Sequence, residues 1–333
     1  MTRRLLAIAG GGGTITQGPL GRIPGTYGQD DLLPGGAKIR GVNLVAAEAQ
    51  WAQGAAGDGW SVLYEFWDAD WMEAQLDDAV EYGCNVVRVM GSIRGIWLSN
   101  YTRAAYLARW SELIEMCRVR GLYLYPVGNP GGVEISDIPY ATVEAEIVAW
   151  ATHVAAYRTS IAIDVVQEDD AYGASADGQA LLDALRDVVT LPLTYSIIGG
   201  TKSQLEHADS NAPIAALIGR VDFFDFHWYY NPAATVIEQY WWDNGAGRPT
   251  KKFLIGEYGG PFSDGAAAQT ARYEAVAAAI NYAGDSGRRP AGAFAWVARD
   301  FGTDTATEMW GLKTAAGGER TWITTPFKTI PKT

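Results

Sequence analysis

Eight short apolar runs, each followed by a longer segment with helical spacing, constrain this chain more than any other feature. The runs are KIRGVNLV (38–45), CNVVRVM (84–90), LYLYPV (122–127), IAIDVVQE (161–168), LPLTYSII (191–198), VDFFDFHWY (221–229), KFLIGEYG (252–259) and AGAFAWVA (291–298). Near-continuous apolar strands imply a sheet covered on both faces. Strands that alternate with helices imply parallel β/α units. Eight such units predict a closed (β/α)8 TIM barrel over residues 38–333. An open doubly wound sheet is the main rival, and it would want a glycine-rich nucleotide turn after its first strand. AAEAQWAQG follows that strand instead, and the GGGG at 10–13 has no helical pattern behind it.

The intervening segments carry helix signals. Asp68 or Asp70 is a fitting N-cap for 68–83, with Gly83 as its stop. Segment 102–121 ends in basic residues and Gly121, as the helix dipole and a left-handed C-cap favour. Segment 139–158 opens with Pro139, tolerated in a first turn. Further helices are expected at 176–189, 203–219, 233–243 and 266–284, and the tail from 299 to 333 reads as loop and strand. Residues 1–37, rich in Gly and Pro, form a separate N-terminal extension. The opening MTRRLLAIAGGGG imitates a secretory leader, but its apolar core is shorter than the ~7–15 residues such a segment needs.

The net charge of −12 argues against nucleic acid and polyanionic partners and leaves neutral substrates open. No run approaches the ~20 apolar residues of a membrane span, so no membrane partner is expected. The chain reads as a monomer; its compartment is not written in the sequence, with an extracellular or virion-associated setting favoured over others. Cys84 and Cys117 read as buried thiols, with a bridge between them left open. Three histidines without H-x-H or H-E-x-x-H spacing argue against zinc. His153 and His207 sit in helical segments, where a structural role is the simpler reading. Asp169, Asp170 and Asp177 lack a calcium-loop signature. No metal or cofactor is expected.

In such a barrel the chemistry lies at the C-terminal ends of the strands. Polar residues there are Arg88, Gln167 and Glu168, His227 and Tyr229, Glu257 and Tyr258, with Trp296 on the eighth strand. Either glutamate alone is as well explained as a salt-bridge partner. Together, with Arg88 and His-x-Tyr in register, they match what glycosidic bond hydrolysis requires: one carboxyl to protonate the leaving oxygen, another to attack or to activate water. Arg88 would keep Glu257 ionised and Tyr229 would orient it. Many of the 13 tryptophans must fill core. Trp51, Trp97, Trp228, Trp241, Trp242, Trp296 and Trp310 fall in loops or near strand tips, where flat rings pack on the C–H faces of sugars.

At these residues the chain resembles clan A glycoside hydrolases, most closely family 5 of the cellulase and mannanase type. IRGVNL, GCNVVRV, QE, HWY, IGEYG and AFAW match in order, over residues 39–296. The resemblance implies a retaining endo-β-glycosidase acting on β-mannan or β-glucan. Glu168 would be the acid/base and Glu257 the nucleophile. Arg88, His227 and Tyr229 would position nucleophile and sugar, and Trp296 would form the sugar platform. Two departures stand out. Gln167 occupies the place of the family's Asn, and the third strand lacks the usual His, although Asn129 falls nearby. A non-catalytic carbohydrate-binding barrel, an adhesin or a virion surface protein, is the alternative.

Overall fold

The computed structural model describes residues 32–33, 37–54, 59–128, 138–168, 176–198, 220–229, 253–281, 290–301 and 310–332. All eight apolar runs form strands: β1 Ile39–Leu44, β2 Val86–Met90, β3 Tyr123–Val127, β4 Ile163–Gln167, β5 Leu193–Ile198, β6 Phe224–Trp228, β7 Phe253–Tyr258 and β8 Gly292–Ala295. They pair in parallel and in sequence order. The β1–β8 ladder, Ile39 beside Gly292 and Val42 beside Ala295, closes the barrel.

Strand alternation divides the side chains into two sets. Val42, Leu44, Val87, Val89, Leu124, Phe224 and Phe226 point outward and pack under the helices in the main core. The inward set forms a plug at the other end of the strands: Ile39, Val86, Tyr125, Phe223, Leu254 and Phe294, joined by Leu32 and Leu33. The described part of the N-terminal extension is thus buried beneath the barrel; residues 1–31 and 34–36 lie outside the described residues.

The principal helices are α1 Ala69–Glu81, α2 Arg103–Val119, α3 Tyr140–Ala155, α4 Ala176–Arg186, α5 Ala266–Asn281 and α6 Thr321–Phe327. Asp68 caps α1 by accepting from the Trp71 N–H, and Thr102 caps α2 by accepting from Ala105. Gly83 (φ 68°) and Gly121 (φ 69°) supply the left-handed turns after α1 and α2. Segments 203–219 and 233–243 lie outside the described residues.

The tail departs from expectation, because it ends in α6 rather than in loop and strand. TWITTPF has poor intrinsic helix propensity. Tertiary bonds to α5 supply what the sequence lacks: Trp322 Nε1 donates to Gln269 Oε1 at 2.9 Å, and Thr270 Oγ1 donates to the Trp322 carbonyl at 3.0 Å. Lys313 anchors the preceding stretch on α1 through Asp78 (2.6 Å) and Glu81 (2.7 Å). Cys84 and Cys117 are free and buried. His153 bonds Ser111 Oγ at 2.8 Å on the helical layer, a structural role. No helix among the described residues is long and apolar enough to cross a membrane.

Candidate active site

Arg88 organises the upper half of the barrel lumen. It is fully buried at the middle of β2. Its Nη1 donates to Glu257 Oε1 at 2.6 Å and to Asn43 Oδ1 at 3.0 Å. Its Nη2 donates to Asp164 Oδ2 at 2.8 Å and lies 3.3 Å from His227 Nε2. Asp225 Oδ2 stands 3.8 Å from Nε and accepts a 2.7 Å bond from the Tyr125 hydroxyl. One guanidinium therefore faces three buried carboxyls. Burial works against the Arg88 charge, yet Glu257, Asp225 and Asp164 together raise its pKa.

The two glutamates converge. One carboxylate oxygen of Glu168, one of Glu257 and a ring nitrogen of His227 all lie within 4.8 Å of one another. His227 Nδ1 is 2.5 Å from Glu168 Oε1 and 3.5 Å from Glu257 Oε2. The Tyr229 hydroxyl donates to Glu257 Oε2.

Local backbone features aim these groups. Asp225, His227 and Tyr229 share one face of β6 by the two-residue period. On β7 the pairing slips by one residue, so that Phe226 faces Ile255 and then His227 faces Glu257. The residue passed over is Gly256. A Cβ there would lie 2.0 Å from Asp225 Oδ1, so this bulge admits only glycine without displacing the carboxyl. Glu168 takes a left-handed backbone conformation, φ 56°, at the end of β4. Non-glycine residues are rarely found there.

Burial sets the protonation states. It pushes the Glu168 carboxyl up to about 7, against the pull of Arg88. It also raises Glu257, opposed by His227, Arg88 and the Tyr229 bond. Asp225 is pushed up to about 8 by burial, with Arg88 opposing and Asp164 adding to the rise. Burial lowers His227 to about 4, which keeps its ring neutral near pH 7. Two carboxyls in one cavity, the half-buried one favouring its protonated form and the other gripped by a guanidinium, suit acid–nucleophile chemistry. Glu168, His227 and Glu257 also have the spacing of a metal-ligand set. The permanent charge of Arg88 against both Glu257 and His227 opposes a divalent cation there.

The remaining sequence candidates separate. Trp296 lies at the mouth, with Trp60 (5.8 Å) and Phe301 (5.7 Å) edge-on to it. Trp51 packs on Trp60 at 5.2 Å, and Trp310 on Tyr229 at 5.3 Å. Gln167 is buried, and among the described residues its Oε1 finds no hydrogen-bond partner. Trp97 is 43% exposed on the short helix Arg94–Trp97, away from these contacts. Trp228 is a correction. It alternates with His227 and Tyr229, so it faces outward and fills the core between barrel and helices. Asn129, Asp169, Asp170, His207, Trp241 and Trp242 lie outside the described residues. Asp164, Asp225, Asn43 and Tyr125 were missed by strand-tip reasoning because they sit one turn of the pleat below the tips. Asp164, Asp225 and Asn43 carried a signal, a charge or amide inside an otherwise apolar run; Tyr125 carried none.

No family model matches the sequence, and no curated protein sequence does. Solved structures do match. GH5_18 from Streptomyces cattleya, in complex with GlcNAc, superposes with a TM-score of 0.63 at 16% identity, covering 88% of this chain and 79% of that one. GH5_18 from Bifidobacterium longum subsp. longum gives 0.64 at 14% identity, over 87% and 78%. The likeness is one of fold: a closed (β/α)8 barrel of the kind these family 5 glycoside hydrolases have. An exo-β-1,4-mannosidase from Opitutaceae bacterium strain TAV5 gives 0.65 at 17% identity, over 89% of this chain; the chain spans 59% of that longer protein.

Proposed function

We propose that the protein is a retaining β-glycosidase acting on a neutral β-linked saccharide. The observation that carries this reading is the carboxyl pair, with oxygens of Glu168 and Glu257 within 4.8 Å. Retaining enzymes hold their carboxyls about 5–5.5 Å apart, and inverting enzymes leave room for a water between them. In the first step Glu257, held by Arg88 and Tyr229, attacks the anomeric carbon. Glu168 gives its proton to the departing glycosidic oxygen, and a glycosyl ester forms on Glu257. Glu168, now ionised, then takes a proton from water, which attacks the same carbon and frees Glu257. A carbohydrate-binding barrel has no need of such a pair.

On this reading the substrate is β-mannan or β-glucan, cut within the chain. A second reading, release of single terminal sugars, is favoured by the rings that crowd Trp296. The leaving group departs on the Glu168 side, so the glycone extends toward β8 and the loop after β1, where Trp60, Trp51 and Phe301 pack together. Likeness to a β-mannosidase and to a GH5_18 variant in complex with Manβ1-4GlcNAc favours β-mannosides. Reducing-sugar release over a panel of neutral β-glycans and short β-mannosides tests both, and the product lengths separate internal from terminal cleavage. Glu257→Gln should abolish release and leave the fold intact by circular dichroism. Wild-type rates in that variant would remove Glu257 as nucleophile.

A further inference from the structure

We infer that Arg88 locks His227 into one tautomer, and that His227 thereby dictates which oxygen of Glu168 carries the acidic proton. Arg88 is the one group here that has no choice of role. Arginine donates hydrogen bonds and never accepts them. Its Nη2 has two hydrogens; one is taken by Asp164 Oδ2 at 2.8 Å, and the other faces His227 Nε2 at 3.3 Å. A proton on Nε2 would set N–H against N–H. Nε2 is therefore the bare nitrogen, and Nδ1 carries the hydrogen of the neutral ring.

That Nδ1–H donates to Glu168 Oε1 at 2.5 Å. A proton on Oε1 would again oppose donor to donor, so the acidic hydrogen of Glu168 sits on Oε2. The polarity of the chain Arg88 → His227 → Glu168 leaves the proton on the oxygen not engaged by the ring. No proton crosses His227 at any step. Once Glu168 has given its proton away, the same Nδ1–H stabilises the carboxylate left behind. Glu257 Oε2, 3.5 Å from Nδ1, is the competing acceptor.

The charged and titratable groups around the ring are Arg88 from β2, Asp164 and Glu168 from β4, Glu257 from β7, and Tyr229 on β6 itself. Arg88 disfavours a ring cation, whereas Asp164 and Glu257 favour one; burial outweighs both, and the ring stays neutral. His227 is thus a positioning residue that acts through Glu168. The inference rests on the reading of Glu168 as the acid.

Two experiments decide it. The chain has three histidines, so His153→Gln with His207→Gln leaves one imidazole in a long-range proton–nitrogen spectrum. A protonated Nδ1 with a bare Nε2 is the expected pattern; a protonated Nε2 overturns the inference. The kinetic arm compares His227→Ala with His227→Asn, whose amide N–H overlays Nδ1–H. Loss of the donor should cost roughly 10²-fold on glycosides whose leaving group needs a proton. Dinitrophenyl glycosides, which need none, should lose far less, and the Asn variant should recover much of the difference. The alkaline limb of kcat/KM should move upward in the Ala variant, because the ionised form of Glu168 loses a donor. Equal losses on both leaving groups, or an unmoved limb, refute the positioning role. If no glycoside is turned over, the proposed hydrolase fails, and the ring spectrum still decides the tautomer.

Discussion

Asp225 offers a direct measure of the charge crowding around Arg88. Its pKa is 3.8 in an exposed chain and about 8 in the folded protein. The folded state therefore binds a proton that the unfolded state releases throughout that window. Stability attributable to this group falls as pH rises, at about 1.4 kcal/mol per pH unit. Asp225→Asn has nearly the same shape and nothing to titrate. Its stability relative to wild type should improve with pH, by roughly 2–3 kcal/mol between pH 5 and pH 7. The charge of Asp164 adds to the rise of Asp225, so the gain spreads over a wider range than a single isolated site would give. Urea unfolding followed by tryptophan fluorescence at both pH values provides the number. The double difference cancels every group that the substitution leaves alone. A difference that stays flat with pH would mean that Asp225 folds as a carboxylate, and the reasoning about three acids on one guanidinium would fall.

The bulge and the glutamates yield further expectations. Gly256→Ala forces a methyl group against the Asp225 carboxyl and should lower stability by roughly 1–3 kcal/mol; an unchanged melting temperature would show that β7 shifts freely. Glu168→Ala should lose turnover of natural linkages, while azide restores reaction with a good-leaving-group substrate; no response to azide would remove Glu168 as acid/base. The pH profile of kcat/KM should fall above about 7, as Glu168 gives up its proton. Its acid limb should lie above 4.5, because burial raises Glu257. A profile still rising past pH 8 contradicts the first assignment.

Much of the barrel was legible because its strands are buried on both faces. Such strands read as apolar runs, and all eight emerge at their expected places. The tips were legible for the same reason: a glutamate or histidine that ends an apolar run has little else to do. Tip reasoning failed where it ignored the two-residue period. Trp228 stands between His227 and Tyr229 in sequence and on the opposite face in space. The same period points to Asp225, two residues before His227, as a lumen group. Asp164 is a lone acid inside IAIDVVQ and was open to the same reading. The convergence of three carboxyls on Arg88 was not legible, since it depends on four strands meeting across a closed cylinder. Helix α6 was hidden because its stability comes from α5 and not from its own sequence.

The left-handed backbone at Glu168 has a consequence for how this chain would change under selection. Holding an L-residue there costs about 1–2 kcal/mol, a cost that glycine escapes. The most accessible gain in robustness at that position is thus also the loss of the acid. A library screened for heat tolerance alone would drift toward glycine at 168 and return hardy, inert proteins.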